Sequence, residues 1–554
     1  MTELIAQSLL QALNSNSSQE SSHLSLERNE LPSSSIGQNL KKWNDDLESE
    51  LLRGAFSTKK FEDEKSSFVS SAIKKSADTL HSLILNAVDP TIVSDAGGGT
   101  TECESDEEAE RSSWAVATST AGDLVVGMPC GTLSLLAELL RAAGLFMRWF
   151  GQVIQPSFES SDANDNHFSN NPTTRLKCRG MLLLYCKILE METPTIESPD
   201  IPRFSSICLF RATYGNDDLT VSARKTVVES IDGCVFLVNA LTKRDQPIPR
   251  LFSVLRNVHH LVSTVPASAA LMDKAIDSLN EKTSSNDGEF ESKYGLVEVL
   301  VDNLTWTVQS LPPFPGDKSD RRSEMASEIL RSLFAVDVRR ASKYLPSNDT
   351  MTKIGVILCD LLKLPNVDDR VHQCKLAVVA LLLNAPEEYS GYLLANGGII
   401  PLIDIMKYQA SAIIARKRSR PDDAASIVPI MLVLGKLAQA NETVLKMIRD
   451  EVFPLDAEKA FEEMAFAEVT KKKSEGKVKA KNMAPLDAPI GTLRWKLIRL
   501  MTWTESNVKR SVCELLWTLC GQDSTQFILR TGFGNAIHFL GIKGIVNLPA
   551  GVDT

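Results

Sequence analysis

The chain of 554 residues lacks several things that would have narrowed its function at once. None of its ten cysteines, at positions 103, 130, 178, 186, 208, 234, 359, 374, 513 and 520, forms a CxxC pair. Without closely spaced thiolates there is no zinc ribbon or finger, and cysteines inside apolar segments read as small core hydrophobes. No apolar run reaches the roughly 18 residues that span a bilayer. The short apolar stretch at 4–13 follows Glu3 rather than a basic region, which is not the pattern of a secretory signal. Excess positive charge is also absent. Sixty Lys and Arg against seventy Asp and Glu leave a formal charge of -10, which excludes nucleic-acid binding through the whole surface. Aromatics are only 6%, but hydrophobic residues make up 43%, enough Leu, Ile, Val and Ala for a large core. A soluble, cytoplasmic chain that binds no nucleic acid is the expectation.

Catalytic signatures are missing too. DAGGGT at 95–100 has the glycines of a phosphate loop but neither its Lys nor its strand-to-helix context. His259 and His260 are adjacent, so on a helix they point about 100° apart and cannot share a metal as an i, i+4 pair would. There is no GxSxG elbow, HExxH or kinase motif set. No catalytic residue, cofactor or metal is expected.

What the sequence does contain is helical periodicity. Apolar spacing of 3.6 residues predicts helices over 133–150, 175–191, 222–241, 250–265, 297–311, 324–335, 351–364, 371–383, 399–406, 425–448, 491–503 and 508–519. Convincing period-two alternation is absent, so the fold class is all-α. Amphipathic helices recurring in pairs at roughly 40-residue intervals predict an armadillo/HEAT-like solenoid, in which each pair buries its apolar face only against its neighbours. Separate helical bundles are the alternative. The expected organisation is a helix and Ser-rich variable segment at 1–40, a solenoid over 41–455 interrupted by an acidic insertion at 89–118, a basic linker at 456–489, C-terminal repeats at 490–545 and a short tail at 546–554. Within the first part of the solenoid, 41–52 and 63–88 form a further helical pair. The basic runs at 416–420 and 471–481 read as solvated loops, with nuclear import or anionic-lipid binding as the sharper alternative.

The C-terminal quarter departs from the acidic average: residues 466–545 hold thirteen Lys or Arg and six Asp or Glu. An acidic partner would be steered there. In 491–503, Leu493, Leu497, Leu500 and Met501 form a core stripe, while Lys496, Arg499 and Trp503 share another face. The next helix repeats the scheme, with Val508, Val512, Leu515, Leu516 and Leu519 apolar and Lys509, Arg510 and Trp517 available. Cations beside indoles suit a protein-binding hot spot. A solvated outer face is the plainer reading of the same pattern.

These segments carry a family resemblance. GTLRWKLIRLMT at 491–502, NVKRSVCELLWTLC at 507–520 and RTGFGNA at 530–536 resemble, in order and spacing, the C-terminal signature of the synembryn family. Weaker similarities reach upstream to 324. The resemblance implies an armadillo/HEAT-type solenoid that binds G-protein α subunits, GDP-bound or nascent, as a receptor-independent exchange factor and folding chaperone. Its concave face would hold the α subunit's C-terminal helix, without covalent chemistry. Partner-binding positions would be Lys496, Arg499, Trp503, Lys509, Arg510 and Asn535. A monomer, recruited to the plasma membrane through its partner, follows from the same resemblance. Two positions depart from the pattern: Ala335 stands where the family has Asn, and Trp503 where a His often follows. The runner-up function is a scaffold for peptide cargo without exchange activity.

Overall fold

The computed structural model describes residues 38, 40–42, 44–45, 80, 83–84, 130–149, 175–177, 179–189, 201–243, 246–284, 295–310, 314, 320–339, 348–365, 368–387, 389–416, 422–454 and 491–546. Among them there is no strand. The all-α expectation holds. The helices divide into two compact units, Met1–Leu300 with Arg339–Leu345, and Val301–Val338 with Pro346–Thr554.

In the first unit, α1 (Cys130–Trp149), α2 (Arg179–Leu189), α3 (Ile201–Thr213), α4 (Asp218–Lys225), α5 (Gly233–Thr242), α6 (Ile248–Thr264) and α7 (Ser268–Ser284) stack as two layers. One layer runs α1, α3, α6 and the other α2, α5, α7. Each helix packs on the equivalent helix of the next pair, as an armadillo/HEAT-like repeat requires. Polar ties reinforce the layers from within. Cys208 Sγ lies 3.0 Å from Leu140 O, the Asn257 amide donates to Ser206 O at 2.9 Å, and Arg250 Nη2 donates to Leu189 O at 2.7 Å. Arg250 and Asn257 are buried, so these bonds offset the cost of taking polar groups out of water.

The second unit repeats the plan. It contains most of α8 (Leu296–Gln309), then α9 (Arg322–Arg339), α10 (Asn348–Lys363), α11 (Asp369–Leu382), α12 (Tyr389–Ala395), α13 (Ile399–Ala415), α14 (Asp422–Ala440), α15 (Glu442–Val452), α16 (Leu493–Met501), α17 (Ser506–Leu519), α18 (Ser524–Thr531) and α19 (Phe533–Ile542). Helices α11, α14 and α17 form one row, and α10, α13 and α16 the other. The predicted core residues Leu497, Leu500, Leu515 and Leu516 are all buried. So are the seven described free cysteines, as expected of small core hydrophobes. No single described helix is long and apolar enough to cross a membrane.

The structure corrects several helix boundaries. The helix expected over 222–241 is broken: α4 passes into a π-helical turn, Thr226–Ser230, and Asp232 adopts a left-handed φ of 54° before α5 begins. A Cβ on Gly233 would stand 2.5 Å from both Val227 Cγ1 and Val227 O, so the chain needs glycine to pass there. The helix expected over 425–448 is two, because Asn441 stops α14 and its side chain accepts from Thr443 N and Val444 N to start α15. Helices α3, α7, α12, α18 and α19 escaped the periodicity altogether. In α3 the buried face includes Ser205 and Thr213, whose hydroxyls donate to backbone carbonyls, and Ser206, whose hydroxyl accepts from the Asn257 amide, so the polar pattern hid an interior helix. The segments expected at 89–118, 95–100, 456–489 and 471–481 lie outside the described residues, as does most of 1–40, 41–52, 63–88, 416–420 and 546–554.

Three stability measurements check this packing. Gly233→Ala, which would overlap backbone as well as side chain, should cost about 1 to 3 kcal/mol in denaturant unfolding. Leu516→Ala, which leaves a cavity at a 0% exposed site, should cost about 2 to 5 kcal/mol. His260 is buried, with Nε2 2.7 Å from Thr213 O. Burial, and then the nearby Arg224 and Arg256, holds its imidazole below the usual 6.5 despite the Thr213 carbonyl. The folded state therefore binds fewer protons than the unfolded one, and stability falls as pH drops below about 6.5. His260→Gln should make the melting temperature less sensitive to pH between 7.5 and 5.5. His372, shifted in the same direction by burial, keeps part of the slope.

Candidate functional site

The C-terminal motifs first build structure. Thr492 caps α16, its hydroxyl accepting from Trp495 N at 3.2 Å. Arg494 reaches across to the end of α18, where its Nε and Nη2 donate to Arg530 O at 3.1 and 2.8 Å. The Phe453 ring lies 5.8 Å from the Arg494 guanidinium and 5.0 Å from that of Arg530. Gly532, with φ at 90°, turns α18 into α19, a conformation that disfavours any side chain. Asn535 closes the same corner by donating to Thr531 O at 2.8 Å.

The six residues singled out from the sequence fall on different faces. Lys496 is half-buried and donates to Ser411 Oγ of α13 at 2.8 Å. Arg499 is exposed, its guanidinium 5.8 Å from the Trp495 ring centroid. Trp503 sits half-buried in the turn between α16 and α17, and its indole Nε1 is buried without a hydrogen-bond partner. Lys509 is half-buried and Arg510 exposed, both in the second turn of α17. Asn535 belongs to the α18–α19 corner. The cations of α16 and α17 thus share one packed helix pair, while Lys496 points to α13 and Asn535 to α18. Trp517, expected to be available, is instead 8% exposed. It packs edge-on against Phe527 and Phe539, with centroids 5.5 and 6.1 Å away, because α18 and α19 fold over that side of α17.

Sequence reading missed a groove. Helices α14 and α17 run side by side and leave a cavity of about 670 Å³ lined by Val428, Leu432, Gly435, Arg510, Glu514 and others. Leu432 is 47% exposed although it lies among buried neighbours, so the floor is apolar and open. Lys436 is tied to the chain after α11 through bonds from Nζ to Leu383 O and Ala385 O. Gln439 donates to Thr518 Oγ1 at 3.2 Å and bridges the two walls. Only the predicted cation Arg510 marks this groove in the sequence, and nothing in the periodicity of α14 distinguishes Leu432 from a core residue. Among the described residues no cluster of three or more His, Cys, Asp or Glu is placed to hold a metal ion. An apolar trough with a charged rim suits non-covalent capture of a protein segment.

Comparison with known proteins agrees with this emphasis on the C-terminus. The family model described as "Guanine nucleotide exchange factor synembryn" matches residues 489–553. The curated relatives include proteins described as "Chaperone Ric-8A". The one from Mus musculus is 25% identical over 268 residues, covering 46% of each chain. Those from Macaca fascicularis and Bos taurus are also 25% identical, over 261 and 235 residues, covering 45% of each chain in the first case and 41% of this chain and 40% of the relative in the second. The chain spans about half the length of the curated relatives it matches. Among solved structures, an engineered protein aligns over 97% of this chain and 94% of its own at 14% identity, with a TM-score of 0.42. The matched residues 489–553 contain α16 to α19 and the motifs at 491–502, 507–520 and 530–536 on which the resemblance was read.

Proposed function

We propose that this chain is a folding chaperone and guanine-nucleotide exchange factor for G-protein α subunits, acting without covalent chemistry. The observation that carries the reading is the family match at 489–553, over the helices that supply Arg499, Lys509 and Arg510 and one wall of the α14–α17 groove. In this reading the groove takes an amphipathic helix of the α subunit, its C-terminal helix. Arg499, Lys509 and Arg510 meet that helix's acidic groups. Trp503 adds the exposed part of its half-buried ring, and Lys496 and Asn535 hold α16 and the α18–α19 corner in place.

The mechanism is differential binding. A protein that prefers the nucleotide-free conformation of its partner lowers the partner's affinity for GDP by the same coupling free energy, and GTP binding in turn expels it. The same preference explains chaperoning, since a nascent α subunit without nucleotide is the state held most tightly. Apolar burial in the groove supplies affinity, and the cations on its rim supply steering and orientation. The protein works as a cytoplasmic monomer, brought to the membrane by its partner.

GDP release from a loaded α subunit, followed with and without the full chain, tests this directly. Added protein should raise the GDP dissociation rate by about tenfold, equivalent to about 1.4 kcal/mol of differential binding. Arg499→Glu combined with Arg510→Glu should weaken binding by about tenfold or more while leaving the thermal melt in place, because both side chains are exposed. No binding to either GDP-loaded or nascent α subunit would overturn the reading. Binding without faster release would leave a chaperone or scaffold in its place.

A further inference from the structure

Arg510 and Glu514 both line the α14–α17 groove from α17, four residues apart. At that spacing two side chains of a helix stand one above the other, about 5 to 6 Å apart at Cβ, within reach of an ion pair. They do not form one. Arg510 is exposed and, among the described residues, enters no hydrogen bond or ion pair. The Glu514 carboxylate turns instead to Lys543, whose Nζ lies 2.9 Å from Oε2.

The fold puts Lys543 there. It follows the last residue of α19 and caps that helix, its backbone N–H donating to Phe539 O at 3.0 Å. Its ammonium stands 5.3 Å from the centroid of the Phe539 ring. Phe539 is buried and packs against Trp517 of α17, so the aromatic contact that closes the corner also sets the ammonium beside α17. The Lys543 and Glu514 side chains are each 35% exposed, and a pair that open to water adds little to stability. Its consequence lies in where it sends the carboxylate.

We propose that Lys543 is a positioning residue for the groove. By holding Glu514 it keeps Arg510 unpaired, so that the α17 wall presents an uncompensated guanidinium to a carboxylate of the bound segment. The role rests on the reading of the groove as the α-subunit site. Without Lys543, Glu514 turns along α17 toward Arg510, engages its N–H edges and repels an acidic partner. The apolar floor at Val428 and Leu432 stays in place, and the orienting charge is lost.

Two measurements on the full chain test this. The first needs no partner: phenylglyoxal, which attacks guanidiniums, is followed residue by residue through peptide mass spectrometry. Lys543→Met should slow modification of Arg510 by about twofold, the strength of an i, i+4 pair, and adding Glu514→Gln should bring the rate back. Lys543→Arg, which preserves the pair with Glu514, should behave as wild type, and Arg499 should react at one rate throughout. The second measurement is affinity for a GDP-loaded α subunit. Lys543→Met should weaken it about threefold without moving the thermal melt, Glu514→Gln should restore it, and in an Arg510→Gln background the Lys543→Met change should make no further difference. Arg510 reactivity unaltered by Lys543→Met in the folded protein would overturn the proposal. So would an equal loss of affinity in both backgrounds, which assigns the effect to the general field of the corner rather than to Arg510. Wild-type protein that binds no α subunit overturns the reading of the groove and leaves the reactivity result to decide whether Lys543 governs the Glu514 carboxylate.

Discussion

The structure depends on sideways burial. A helix of 10 to 20 residues with one apolar stripe is marginal by itself in water, so its stability comes from the helix beside it. In the first unit α3 is covered by α1 on one side, α6 on the other and α2 beneath. In the second unit α14 stands between α11 and α17 in the same way. Buried polar bonds then select the register. Asn257 to Ser206, His260 to Thr213 and Cys208 to Leu140 each join a side chain of one helix to the backbone or side chain of the next, and each would be left unsatisfied by a slip of one turn.

That constraint explains why the C-terminal motifs combine two kinds of residue. The helices they form are fastened by side-chain bonds as well as by apolar burial. Arg494 and Asn535 hold the end of α18, Gly532 permits the turn, and Trp517 closes a small aromatic cluster with Phe527 and Phe539. Lys543 pairs with Glu514 at 2.9 Å across the outside of the same corner. Arg499 and Arg510 point outward from the same helices and are exposed.

An acidic chain can still present positive sites, because charge acts over about a Debye length rather than over the whole molecule. The formal charge of -10 governs solubility and discourages nucleic acid. The local field along α16 and α17 is set instead by the cations those helices carry, among them Arg499, Lys509 and Arg510.

Much of this was legible in the sequence. Periodicity announced α10, α11, α16 and α17, and the linked motifs at 491–536 announced the family segment, because both depend on residues close together in the chain. The break at Asp232 was less visible: its signal is Gly233, whose need for bare space arises only where Val227 crosses it. Helix α3 was hidden since its buried serines find their partners, Tyr185 O and the Asn257 amide, on other helices. Composition and spacing therefore determined the all-α class and the C-terminal signature. Only the tertiary structure decided that Trp517 is core, that Lys496 turns to α13 and that Leu432 floors a groove. Those outcomes rest on which helix lies beside which, and contacts between distant segments leave no periodic trace in either one.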